Sequence, residues 1–100
     1  MIKQLKPEFV VCIPEEKDMV DGELYISTEF GVAIHLCCCG CGNQVVTPFS
    51  PSSSQNQDWT LIIDGKTVTL KPSIGNNQFP CKSHYLITRN RVGWVNYKEK

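Results

Sequence analysis

One hundred residues, 41% apolar and 20% charged, make one folded domain and exclude a disordered tail. No apolar run approaches the roughly 18 residues of a membrane helix, so no membrane association is expected. Ten basic residues balance ten acidic ones, which argues against a nucleic-acid binder whose affinity would come from phosphate contacts.

No stretch has helical periodicity, and the chain reads as strands separated by turns. The apolar run 9–13 stops at Pro14 and predicts a strand, with Cys12 buried in it. Residues 15–22 are charged and loop-like. The runs 24–28 and 32–36 flank Glu29, Phe30 and Gly31 and predict a hairpin. Residues 47–58 carry Pro48, Pro51 and four serines and read as a Ser/Pro-rich surface loop. The runs 59–63 and 66–70 meet at Asp64-Gly65, and Asp-Gly supplies the positive φ angles of a tight hairpin. Val68 and Leu70 alternate with Thr67, Thr69 and Lys71, so one face is buried and one is wet. Residues 71–80 read as a loop in which Pro72-Ser73-Ile74-Gly75-Asn76 is a structured turn. The runs 85–88 and 92–95 predict a last hairpin around Arg89, Asn90 and Arg91. The expected fold is all-β: a single small domain over 1–100, a metal-stabilised sheet or sandwich of hairpins with long loops and little or no helix. Such a chain buries only about 65% of its unfolded surface, so a metal tying loops down would help it fold.

Charge is unevenly placed along these elements. Residues 1–30 hold three lysines against seven acidic side chains, and residues 65–100 hold seven Lys or Arg against Glu99. Two solvated faces that attract each other explain this. So does a basic patch for an acidic protein partner, to which Arg89 and Arg91 could contribute.

Six cysteines are the most informative count. The start of the chain, broken by Pro7, reads as lacking a secretory signal, which places the protein in a reducing cytoplasm and argues against disulfides. Cys37, Cys38, Cys39 and Cys41 fall within five positions, too crowded to bridge one another. Cys81 and His84 form a second cluster. Tetrahedral zinc takes four soft or borderline ligands from two such knuckles. In an extended strand Cys37, Cys39 and Cys41 share a face and Cys38 points away. Cys37, Cys39, Cys41, Cys81 and His84 are therefore five candidates for four places on a Zn2+ ion, and the spacing does not choose among them. His35 is expected outside the ligand set, as an outlying partner or a surface residue.

Other metal chemistries fit the same residues. Three thiolates and one imidazole could hold a [2Fe–2S] cluster. A catalytic zinc would keep an open position and need a general base, yet neither Glu29 nor Asp64 is spaced to serve it. No catalytic residue is assigned on these grounds. Trp59, Trp94, Phe79 and Tyr85 read as packing residues.

Taken in order, Leu24-Tyr25-Ile26-Ser27, His35-Leu36-Cys37-x-Cys39-Gly40-Cys41-Gly42, Trp59-x-Leu61, Asp64-Gly65-x-x-Val68-x-Leu70, Pro72-Ser73-Ile74-Gly75-Asn76 and Pro80-Cys81-x-Ser83-His84-Tyr85 resemble a bacterial domain-of-unknown-function family. The resemblance covers roughly residues 8–95. Members of that family are found beside genes for ubiquitin-activating-like and ubiquitin-conjugating-like enzymes and a multi-ubiquitin-like protein. At the position of Cys38 the family often has proline, which agrees with leaving Cys38 out of the ligand set. The resemblance implies no activity. It implies that neighbourhood, and together with the candidate ligands and the lack of a placed base it points to a zinc-binding protein-interaction module, an accessory, adaptor or ligase-like factor whose partner is a component of a ubiquitin-like conjugation pathway. Two other readings stand beside it: a zinc hydrolase or peptidase acting on the conjugates, and a [2Fe–2S] electron carrier.

Overall fold

Apolar residues at alternate positions, punctuated by glycine, proline and asparagine, are buried most simply by strands stacked in two layers. The computed structural model describes residues 2–49, 59–76 and 80–95, and in them this is the architecture. Strands β1 (Lys6–Phe9), β2 (Glu23–Ser27), β3 (Val32–Leu36) and β4 (Gln44–Pro48) form one sheet in that order. Strand β1 runs parallel to β2, and the other pairs are antiparallel. Strands β5 (Thr60–Asp64), β6 (Thr67–Gly75), β7 (His84–Thr88) and β8 (Arg91–Trp94) form a wholly antiparallel second sheet. A 3-10 turn at Glu16–Asp18 is the only helical element among the described residues.

The core lies between the sheets. Leu24, Ile26, Ala33 and Val45 from the first meet Val68, Leu70, Ile74, Tyr85 and Ile87 from the second. Each fully buried aliphatic side chain contributes about 1.5–3 kcal/mol. The N-terminal segment stitches the layers together. Gln4 bridges to Arg91, Leu5 N–H donates to the Asn90 carbonyl, and the chain then enters β1. Two turns follow their chemistry. Gly65, φ +64, takes the first of the two places between Asp64 and Thr67, one residue later than the Asp-Gly reading placed the turn. Arg89 and Asn90 both have positive φ between Thr88 and Arg91, the requirement of a type I′ turn.

Several expectations need correction. Strand β1 ends at Phe9, and Val11 and Cys12 are exposed: after Val10 N–H bonds the Ile26 carbonyl, the chain leaves the sheet. Thr47 and Pro48, read as loop, belong to β4, where Val45 and Thr47 face inward. Residues 50–58 of that loop, and Phe79, lie outside the described residues. The largest change is in β6. Residues 71–75, read as loop and turn, continue the strand through an irregularity between Leu70 and Ile74, where four steps on β6 oppose two on β7. A proline is tolerated in a sheet where a bulge relieves it of donating a ladder hydrogen bond.

Candidate metal centre and an adjacent Ser–His pair

The loop 37–43 joins β3 to β4 and is closed by Cys37 N–H to the Asn43 carbonyl at 2.8 Å and Gly40 N–H to the Cys37 carbonyl at 3.0 Å. Gly40 and Gly42 have φ of +92 and +87, so the curl needs residues without a side chain there. Cys81 comes from the turn before β7. The Sγ atoms of Cys37, Cys39, Cys41 and Cys81 all lie within 4.8 Å of one another. Cys37 is 3.6 Å from Cys39 and 3.8 Å from Cys81, and Cys41 is 3.8 Å from Cys81. A zinc ion with Zn–S bonds of about 2.3 Å at the centre of a sulfur tetrahedron sets the sulfurs about 3.8 Å apart. The donor set therefore fits a single tetrahedral ion. Because three cysteines belong to the first sheet's loop and one leads into the second sheet, such an ion would staple the two layers.

Polar groups surround the sulfurs as they do at metal sites. Asn43 Nδ2 donates to Cys41 Sγ at 3.3 Å, and Asn76 Nδ2 lies 3.8 Å from Cys37 Sγ. The Ser83 hydroxyl, fully buried, lies 3.2 Å from Cys37 Sγ and 3.5 Å from Cys81 Sγ. Burial pushes the Cys37 and Cys39 thiols up. Burial also opposes ionisation of Cys81, but hydrogen bonds from Ser83 and then from the Cys39 and Cys37 thiols outweigh it and bring Cys81 down to about 7.

His84, the fifth candidate, is not part of this cluster. Its Nε2 lies 2.7 Å from Ser73 Oγ. The pleat explains the separation. Ser83 and Tyr85 point inward, so His84 between them points out from the sheet. Gly75 opposes His84 across the ladder, and the bulge before it turns Ser73 onto the same outer face. In the tautomer with the proton on Nδ1, the Ser73 hydroxyl donates to Nε2. Sequence reasoning quoted both residues and gave neither this role. The signal available was a serine and a histidine on neighbouring β-rich runs, and the bulge that joins them leaves no sequence signature.

Cys38 and His35 lie on the inner side. Cys38 is fully buried outside the cluster, and burial raises its thiol to about 12. His35 is no surface residue: it is fully buried, its Nε2 is 2.8 Å from the Tyr85 hydroxyl, and burial lowers it to about 4. The Tyr85 ring meets Trp94 edge-on at 5.0 Å. The Nδ1 of His35 has no hydrogen-bond partner among the described residues.

Fold and site together define a small all-β domain with a metal-competent four-cysteine cluster beside an outward-facing Ser–His pair. The chain belongs to the BubE family, described as a bacterial ubiquitination-like system serine protease, whose family model matches residues 9–95. That assignment bears out a bacterial domain associated with ubiquitin-like conjugation, and the family's description names a serine protease where the sequence reading had a peptidase only as an alternative, on zinc. No curated protein and no solved structure matches the chain. No helix among the described residues is long and apolar enough to cross a membrane.

Proposed function

We propose that this chain is a serine peptidase of a ubiquitin-like conjugation system, with Ser73 as nucleophile and His84 as its base. The observation that supports it is the 2.7 Å contact between Ser73 Oγ and His84 Nε2 on an outward face, in a chain whose family is described as a serine protease. A serine hydroxyl is a weak nucleophile until a base within hydrogen-bond reach takes its proton. His84 would accept that proton as Oγ attacks the scissile carbonyl and return it to the leaving amine, and water would then release the acyl group by the same route. The substrate would be a protein of the conjugation system, and the free cysteines suit a reducing cytoplasm.

The cysteine cluster would hold one Zn2+ as a structural ion. Four thiolates close a tetrahedral site and leave no position for water, which counts against a zinc hydrolase. Three of the six sulfur edges, at 3.6 to 3.8 Å, with all six within 4.8 Å, suit one ion at their centre. A [2Fe–2S] cluster would split its four ligands between two irons.

A fluorophosphonate probe tests the peptidase reading. Stoichiometric labelling of the wild-type protein that disappears in Ser73→Ala and falls sharply in His84→Gln is the expected result. Labelling that survives in Ser73→Ala, or none in the metal-replete protein, overturns it. Metal analysis should find one zinc and no acid-labile sulfide per chain.

A further inference from the structure

A trough of about 650 Å3 lies away from the cysteine cluster. Beside an edge of Val92, its walls come chiefly from Thr67, Leu86, Thr88, Arg89, Arg91 and Gly93. These residues share the outer face of the second sheet. Val68, Tyr85, Ile87 and Val92 point into the core, so Thr67, Leu86, Thr88, Arg91 and Gly93 point out. His84 and Ser73 lie on that same face, which makes the trough a continuation of the Ser–His site along β7. The floor is apolar and open. Leu86 is exposed, and its ladder partner is Gly93, where an added Cβ would come within 3.1 Å of the Leu86 side chain. The far wall is cationic: Arg89 in the turn and Arg91 opposite Thr88 are both exposed, and none of the described residues lining the cavity is acidic.

We propose that this trough is the substrate-docking subsite of the proposed peptidase, and that it takes an extended protein segment carrying an apolar side chain and then a carboxylate. The inference rests on the Ser73–His84 reading for its direction, while the binding it claims can be measured without turnover. Strand spacing sets the ruler. Leu86 lies about 7 Å, and the level of Thr88 and Arg91 about 14 Å, along the strand from His84, at about 3.4 Å per residue. An extended substrate therefore places its apolar residue about two positions from the scissile bond and its acidic residue about four. Arginine recognises a carboxylate with two parallel hydrogen bonds, so Arg91 reads the acidic group and Leu86 with Gly93 reads the apolar one.

The test uses Ser73→Ala protein, so that nothing is cleaved, and fluorescein-labelled ten-residue peptides with one leucine and, two residues further on, a pair of glutamates, glutamines or lysines. Fluorescence anisotropy should show the glutamate peptide binding about tenfold more tightly than the glutamine peptide, with the gap closing as salt rises. Adding Arg91→Glu should abolish that preference and create one for the lysine peptide, a gain that an unfolded protein cannot show. Equal binding of the glutamate and glutamine peptides, or an unchanged preference in Arg91→Glu, overturns the inference. Displacement of the peptide by a lower concentration of single-stranded oligonucleotide also overturns it, in favour of a nucleic-acid site. Fluorophosphonate labelling of the wild-type protein is scored separately. Its absence removes the peptidase reading whatever the peptides do.

Discussion

Cys81 and His84 are three residues apart and serve two centres held by opposite means. The cysteine knuckle is a loop of seven residues with two closing backbone bonds and two left-handed glycines, and under the proposed reading its shape depends on the ion its sulfurs would hold. The Ser73–His84 pair is held by backbone: His84 pairs with Gly75 on the β6–β7 ladder, and Ser73 sits in the irregularity just before the Ile74–Tyr85 pair. On that reading the same short segment carries a site that would need a ligand for its geometry and a site that would not. Changes at the first should cost the fold, and changes at the second should cost only chemistry.

Stripping the ion is the sharpest way to break this contrast. Structural zinc supplies about 10–16 kcal/mol in small domains, as much as the whole stability of a typical one. Chelation, or Cys81→Ser, should therefore leave the chain largely unfolded by circular dichroism and tryptophan fluorescence. An apo protein with an unchanged melting temperature would place the stability of the knuckle in its backbone. Ser73→Ala should do the reverse. Hydrolysis should fall by at least about a thousandfold, while unfolding in urea shifts by less than about 1 kcal/mol, the worth of one hydrogen bond.

The buried side of the site gives a smaller, pH-dependent effect. His35 is held neutral in the fold, with its value near 4, while the unfolded chain takes up the proton at about 6.5. The stability that rests on its neutrality is whole above about pH 6.5 and drains away as the pH falls toward 4, because the unfolded state binds the extra proton in that window. Between pH 7.5 and 5 the loss should be about 2 kcal/mol. In His35→Gln that part of the loss should vanish, and proton uptake by the thiolates, common to both proteins, cancels in the difference. An identical pH slope in the two proteins would show that His35 does not titrate across unfolding.

The smallest effect belongs to the turn that seats the trough. Asn90, φ +71, accepts from Val68 N–H at 2.8 Å and donates to the Lys66 carbonyl at 3.2 Å through its side chain. Asn90→Gly keeps the backbone angle and loses both bonds, and should cost about 1–2 kcal/mol in urea unfolding without touching metal content. A cost as large as that of Cys81→Ser would mean that the second sheet, and not the knuckle, limits the fold.

Much of this was readable from the residues alone. Period-two alternation at Val68 and Leu70, the paired runs around 29–31 and 89–91, and the lack of helical spacing specified an all-β chain, because each is a local property of neighbouring side chains. The crowding of cysteines near residue 39 with a fifth at Cys81 marked a possible metal site for the same reason. What folding alone decided was partnership across the sheets and the face each side chain takes. Five candidates became a cluster of four sulfurs, because pleating sends His84 outward while Cys81, in the turn before it, reaches the loop of the other layer. Proline and glycine at residues 72 and 75 hid a strand, since a bulge accommodates both and turns Ser73 toward His84. Local spacing records which chemistry a segment carries; which segments meet depends on register and on a two-residue slip in one ladder, and those are settled only when the layers pack.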